Sequence, residues 1–525
     1  MAAAVAYNCA AFRITGRHTV CYVRLRSTTS PHGGKNNSVG DHIQRAKSFD
    51  DIPGPDTGFF KTLTSVTVAI LTGRWHKQRP TITQMRRDYG PIWKHKYGSL
   101  NMVAVTDPKH FEDVLRNEGK YPKRMPFEPW IAHRDKRRLA QGVLLQEGPD
   151  WHRHRAALNK RMMRPADVAS YSDTINDVTN DLIKKVIRAK KSSGNNIVPN
   201  IENILFNWSL DTGCGVIFNK KLNLLDDEPR PEAQILIQAV HDMFESTLWL
   251  YWTPVRIHRL FNSRVWRKHV NAWDTIFATA KKLIDDKMND VTKRMAAAEN
   301  IGIEGADLVT YMITKGTLNV DEIYANATEL LAATVDTTAN SMLWTLYCFA
   351  KHPRVQDALY EETQRVVPRG ETPTHEHVNQ MPYLKAIVRE SMRLYPPIAN
   401  LARILDKDIS VGGYQIPAGT AIVGQMWLMS RDPKCFSDPL EFRPERWIRV
   451  EKEHFYGFKS LPFGYGPRMC IGKRLAELEI QLTLARLCQN FILTSTTDVK
   501  VKMTTLALPD RPLNLKFIDR RSRET

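Results

Sequence analysis

Phe463-Gly464-Tyr465-Gly466-Pro467-Arg468-Met469-Cys470-Ile471-Gly472 sets a lone cysteine in a glycine-punctuated loop that runs into a helix from about Lys473. A thiolate held there can serve as an axial ligand to haem iron. The glycines let backbone pass close to a flat macrocycle. The helix that follows turns its N–H groups and positive end toward the sulfur, which favours the ionised form. Arg468 is within reach of a haem carboxylate as a forked donor. A thiolate pushes electron density onto iron and favours O–O cleavage, so the loop points to oxygen activation. A bare cysteine on a turn is more often a buried structural thiol; the surrounding Phe, Gly and Arg residues at these offsets argue for the ligand.

Three further pairs have spacings with chemical meaning. Trp151 and Arg155 lie four apart, on one face of a helix, and both can reach one carboxylate. Glu390 and Arg393 lie three apart, a spacing that permits an ion pair on the helix between Pro382 and Pro396. Ala333-Thr334-Val335-Asp336-Thr337-Thr338 puts an acid beside hydroxyls in the middle of an apolar helix. There a threonine can bond back to the preceding turn and bend the helix. Asp336 then relays protons from solvent and Thr337 hydrogen-bonds at the site of oxygen reduction. Read separately, the first is a surface arginine beside a half-buried tryptophan and the last an N-cap signal; for Glu390 and Arg393 the structural role is the functional one.

The haem loop is the signature of the haem-thiolate monooxygenases, and from about Pro53 to its end the chain resembles that family, the cytochromes P-450. The resemblance implies a mainly α fold with a small β region, haem b as cofactor, and haem contacts from Cys470, Phe463, Arg468, Trp151, Arg155 and Arg403. It makes Arg446, in Pro444-Glu445-Arg446-Trp447, the third member of a charge network with Glu390 and Arg393 that pins the haem loop. Thr334 stands where the family usually has glycine, so its hydroxyl either joins the water chain or lines the pocket. Lys385 and Arg389 match basic positions with which mitochondrial members dock an acidic ferredoxin of the adrenodoxin type, itself reduced by an NADPH-dependent reductase. Lys473 and Arg474 extend that face. The plain alternative is a solvated basic helix surface.

Within the mitochondrial members, Glu128-Pro129-Trp130, Ala272-Trp273-Asp274-Thr275-Ile276-Phe277 and Met381-Pro382-Tyr383-Leu384-Lys385-Ala386 are most similar to the vitamin D 24-hydroxylases. That similarity implies hydroxylation of a vitamin D secosteroid side chain, with another steroid or sterol as the alternative. Ile398-Ala399-Asn400-Leu401-Ala402 and Trp249-Leu250-Tyr251-Trp252 depart from the pattern. Pocket positions by match are Phe127, Trp130, Leu144, Phe244, Ala333 and residues 504–508, any of which is equally readable as core. A haem-thiolate isomerase needing no electrons, or a haem-based gas sensor, are the readings from other classes. The acid–hydroxyl pair and the basic face argue against both.

The elements that must hold these residues are read from pattern. The 525 residues suffice for one large catalytic domain. Amphipathic helical stretches lie near 165–190, 230–247, 263–296 and 320–350, and β-like pieces at Leu100–Val105 and around Ile409–Val423. No stretch of about 20 apolar residues calls for a spanning helix, and the seven cysteines lack disulfide-framework or zinc spacing. No Gly-rich dinucleotide motif follows a strand, so electrons must come from another protein.

Residues 1–50 carry seven basic and two acidic side chains, and the first 40 no acidic one. Together with Ser27-Thr28-Thr29-Ser30 this reads as a mitochondrial transit peptide and linker, with 51–525 as the haem-thiolate domain. Of the net charge of +19, about +14 remains on that domain. With no nucleic-acid motif, the surplus points to an acidic protein and to peripheral contact with the inner mitochondrial membrane on its matrix side. Phe59 to Leu71, flanked by Arg74, Trp75 and Lys77, is a candidate for that contact or an ordinary core helix.

Overall fold

The computed structural model describes residues 46–55, 82–97, 100–227, 230–251, 254–297, 305–448 and 457–520. The transit-peptide reading and the Phe59–Leu71 segment lie almost wholly outside them.

Helices dominate, as the resemblance implies. Those that build the site are α1 (Glu128–Arg137), α2 (Gly148–Met163), α3 (Ile201–Phe218), α4 (Pro231–Leu250), α5 (Val255–Leu260), α6 (Arg264–Ala296), α7 (Val320–Lys351), α8 (Pro382–Leu394) and α9 (Lys473–Asn490). The long amphipathic patterns read from sequence fall on Ser172–Ser193, α4, α6 and α7.

α7 is the axis of the molecule. Its start is fixed by a reciprocal cap: Asn319 accepts from the Glu322 N–H at 2.9 Å and Glu322 accepts from the Asn319 N–H at 2.9 Å. From Ile323 onward nearly every side chain is buried, because α3, α4, α6, α8 and α9 all pack on it. A helix surrounded on all sides has no polar face to give away, and its interior hydroxyls turn inward to its own backbone. Thr337, Ser341 and Thr345 donate to the carbonyls of Ala333, Thr337 and Ser341 at 2.6, 2.7 and 2.7 Å.

A four-stranded sheet flanks the helices in the order β1 (Ile92–Tyr97), β2 (Leu100–Val105), β4 (Ala421–Gly424), β3 (Leu401–Ile404). β2 and β4 run parallel with Met102 opposite Ala421; β3 and β4 run antiparallel with Leu401 opposite Gly424. This register sets Arg403 across from Ile422. Val103, Val105, Ile422 and Phe111 form a second apolar core beneath the sheet. A smaller sheet joins Ile197–Val198, Leu515–Asp519 and Phe491–Ser495, and so brings the C-terminal strand back against the helical body.

Candidate active site

The Cys470 loop is shaped by two residues in the left-handed region, Gly464 at φ +75° and Gly466 at φ +73°. Both are positions where a β-carbon is strained. At Gly466 it would also collide with the Glu118 carboxylate, 1.9 Å away. The turn is closed by the Cys470 N–H donating to the Phe463 carbonyl at 2.8 Å, and α9 begins directly after Gly472. Burial pushes the Cys470 thiol up; the Gly472 N–H, Arg155 and Arg124 pull it back. Yet by accessible area the residue is exposed. A side chain ringed by protein that still carries accessible surface faces a cleft inside the fold.

Four arginines gather around this thiol. Arg403 reaches from β3, pairs with Glu118 and donates to the Tyr465 carbonyl at 3.0 Å. Arg155 donates to the Met469 carbonyl at 2.9 Å and to Asn159 at 2.8 Å. Arg468 donates to the Pro122 and Gln146 carbonyls and to Glu147 at 2.8, 2.9 and 2.6 Å, and its guanidinium lies 4.1 Å from the Trp151 ring centre. Arg124, which the sequence reading missed, donates to the Leu144 carbonyl at 2.8 Å.

Burial and mutual repulsion lower the pKa of Arg124, that of Arg155 to about 10 and that of Arg468 to about 9. Among the described residues, Arg468 Nη1 is buried without a partner. The guanidiniums outnumber the carboxylates that touch them, Glu118 and Glu147. A buried positive surplus with an orphaned donor, beside a thiol opening on a cleft, suits an iron macrocycle bearing two propionates, so the residues present fit haem.

Behind α8 lies the charge network. Glu390 and Arg393 are both fully buried and joined twice at 2.8 Å. Glu390 also accepts from Arg446 Nε at 2.9 Å, from the Arg443 N–H at 3.0 Å and from Trp447 Nε1 at 2.8 Å. Arg393 donates to the Ser430 and Pro439 carbonyls at 2.6 and 2.7 Å. The network therefore ties α8 to residues 430–447, the chain leading to the haem loop. The loop itself is held by Arg155, Arg403 and Arg468.

In the middle of α7 the pattern of burial changes. Ala333, Thr334 and Thr337 keep partial exposure where their neighbours are buried, so this turn opens onto the interior. Thr334 turns aside. It donates to Leu331 O at 2.9 Å, and a β-carbon on Gly213 of α3 would lie 2.7 Å from its hydroxyl. The chain thus accommodates the extra hydroxyl by thinning α3 to glycine.

Asp336 is buried, and its Oδ1 lies 3.0 Å from His241 Nε2 on α4. Sequence reasoning missed His241; no spacing links positions 95 residues apart. Above the turn, Phe127 stacks on Trp130 at 4.7 Å, and Trp130 meets Phe244 edge-on at 6.1 Å. Trp130 Nε1 is satisfied by Thr247 at 2.8 Å. Thr505 donates to the Phe244 carbonyl at 2.8 Å, which brings residues 504–508 to the same place. Leu144 is fixed through its N–H to Glu329 of α7 at 3.0 Å, one turn before Ala333.

The proximal face, behind the thiol, gathers Lys385 and Arg389 from α8 with Lys473 and Arg474 from α9. All four act on one carboxylate, Glu477.

The cytochrome P450 family model matches residues 58–517. The chain is 35% identical to the mitochondrial 1,25-dihydroxyvitamin D(3) 24-hydroxylase of Rattus norvegicus, over 90% of this chain and 89% of the relative. It is 35% identical to the mitochondrial sterol 26-hydroxylase of Homo sapiens, over 82% of each. To the mitochondrial 25-hydroxyvitamin D-1 alpha hydroxylase of Homo sapiens it is 33% identical, over 94% of this chain and 97% of the relative.

Proposed function

The chain belongs to the cytochrome P450 family, so it binds haem and is a monooxygenase, and we propose that it hydroxylates a sterol or secosteroid in mitochondria. The aromatic enclosure of Phe127, Trp130 and Phe244 over the α7 turn carries this reading. With the Trp130 N–H already bonded, the lining offers ring faces to a greasy polycyclic substrate. The finer assignment is the side chain of a vitamin D secosteroid. A sterol is the second reading, favoured by equal identity to the sterol 26-hydroxylase. Titrating purified enzyme with hydroxylated secosteroids, sterols and steroids, and reading the substrate-induced shift of the haem absorbance, tests both. Tight shifts with secosteroids alone select the first and with sterols alone the second, whereas none with either class overturns the proposal.

Haem bound through Cys470 supplies oxygen activation and insertion of one oxygen atom into a C–H bond. The residues do the rest. Arg155, Arg403 and Arg468 hold the loop backbone and offer their charge to the propionates, with Trp151 packed beneath Arg468. Glu390, Arg393 and Arg446 fix the approach to the loop. Asp336 and Thr337 place an acid and a hydroxyl at the opened turn of α7, where protons are needed for oxygen reduction.

Electrons arrive from a ferredoxin reduced by an NADPH-dependent reductase. Lys385, Arg389, Lys473 and Arg474 form its docking face, around Glu477 on the Cys470 side of the fold. Peripheral contact with the matrix side of the inner membrane falls to α5. Leu260 and Phe261 are 78% and 75% exposed there, beside Arg256, Arg259 and Arg264. Apolar tips ringed by cations suit an anionic lipid surface. Among the described residues no helix is long and apolar enough to cross a membrane.

A further inference from the structure

We propose that His241 is the solvent-side end of the proton path to Asp336. The inference rests on the role given above to Asp336 and Thr337 and extends it to a residue that role does not include. Asp336 is 5% exposed and cannot meet bulk water, whereas His241 is 33% exposed and spans from α4 to the acid. The two atoms approach to 3.0 Å, and neither has another hydrogen-bond partner among the described residues. An edge contact from Phe206 of α3, with ring centres 4.6 Å apart, sets the plane of the imidazole.

The other charged group acting on His241 is Asp242 on its own helix, and Asp242 shares its charge with Lys268 of α6 at 3.1 Å. The neighbouring contact from α3 is the uncharged Phe206, and α1 meets α4 through Trp130 on Thr247. Burial lowers the pKa of His241, but its hydrogen bond to Asp336 and the Asp336 charge more than offset this and leave it raised. Burial raises that of Asp336. Both shifts keep a proton on the pair. In the step, the imidazolium N–H at Nε2 gives its proton to Asp336 Oδ1, and the neutral ring regains one from solvent, so charge and protons balance over a turnover.

The sign of the pH dependence follows. A raised imidazole pKa extends the charged form of His241 to higher pH than an ordinary histidine keeps it; as pH rises through that pKa the relay loses its proton and coupling of electrons to product falls. The test compares wild type, H241Q, H241N and D336N as full-length haem-loaded enzymes supplied by ferredoxin and reductase. Product and peroxide per NADPH are measured between about pH 6 and 9, the range that brackets histidine titration. The reduced carbon monoxide spectrum and the substrate-induced shift report folding and binding; H241N replaces H241Q should the latter lose them.

The expected result is about tenfold less product per NADPH in H241Q at neutral pH, below the roughly 100-fold low end for a direct acid–base group, with the alkaline fall abolished and binding unchanged. Histidine-labelled NMR of the carbon monoxide complex should show one titration moving to lower pH in D336N. If D336N uncouples while H241Q matches wild type in coupling and pH profile, the relay is overturned and the acid–hydroxyl role stands. If D336N itself stays coupled, that role fails and the relay with it.

Discussion

In the proposed site, the Cys470 side with its charge network behind α8 is proximal and the opened turn of α7 is distal, and the two are built on opposite principles. In the network behind α8 every buried charge is answered: Glu390 accepts five hydrogen bonds, and Arg393 donates to the Ser430 and Pro439 carbonyls besides. On the distal side one buried acid, Asp336, faces one histidine, amid aromatic rings and helix hydroxyls that bond their own backbone. A saturated network fixes position, because removing any member strands a buried charge. An under-satisfied acid can change its protonation at little structural cost. The proximal side is a frame and the distal side is a device, and substitutions on each should fail in different ways.

The largest effect tests the cleft itself. Cys470→Ser replaces the sulfur but leaves the glycine turn intact. The reduced carbon monoxide complex should lose the absorbance band at roughly 450 nm that thiolate ligation would give, and hydroxylation should be abolished. Retention of that band would remove the basis for both sides.

Next comes the frame. Glu390→Gln leaves Arg393 and Arg446 without their carboxylate in a fully buried setting, a loss on the order of 3–5 kcal/mol. The expected outcome is a collapse in the yield of haem-loaded protein and a lower melting temperature, while any holoenzyme that forms keeps its substrate-induced shift. A variant that loads haem normally yet binds substrate weakly would mean that Glu390 acts distally and the contrast is misplaced.

On the device side, Thr337→Ala removes one hydroxyl already bonded to Ala333 O at 2.6 Å. Stability should change little. Product per NADPH should fall by about 100-fold, the lower end for acid–base steps, with electrons diverted to peroxide. Unchanged coupling would make the hydroxyl a helix-bending element only.

The contrast also explains what could be read from the chain. The frame is encoded locally: Glu390 and Arg393 share a helix turn, Arg446 and Trp447 are adjacent, and the thiol sits among glycines whose φ values demand glycine. Such patterns survive translation from sequence to structure because few intervening contacts decide them. The long helices were legible for the same reason, whereas the fold class and the place of Arg446 in the network came from the family resemblance. Arg124 and Glu118 at the thiol, and His241 at Asp336, were not. Each is brought in by packing between elements far apart in the chain, and each has an unremarkable sequence neighbourhood. Thr334 is an intermediate case: its departure from glycine was visible, but the compensating Gly213 lies on another helix.

The smallest expected effect probes the outer edge of the frame, where it meets solvent. Lys385 donates to Asn379 O at 2.9 Å, and the Arg389 guanidinium lies 4.1 Å from the Trp447 ring centre. Burial lowers the pKa of both, yet both stay cationic at neutral pH because their ordinary values lie far above it. Glu477 stands among these two and the pair on α9, and Glu362 also acts on Lys385; four cations against two carboxylates leave the face a net positive charge. Exposed charges are screened over about 8–10 Å at ordinary salt. The double variant K385E/R389E should therefore raise the ferredoxin concentration for half-maximal reduction several-fold at low salt and lose most of the salt dependence seen in wild type, on the order of 1 kcal/mol per contact. Substrate shifts and the carbon monoxide band should not move, because Glu390 beneath keeps its donors. Glu477→Gln sharpens the same point with the opposite sign: removing the carboxylate on which all four cations act should strengthen docking. If charge reversal leaves ferredoxin-driven reduction and its salt response untouched, the partner docks elsewhere, and the proximal side is a frame without a docking face.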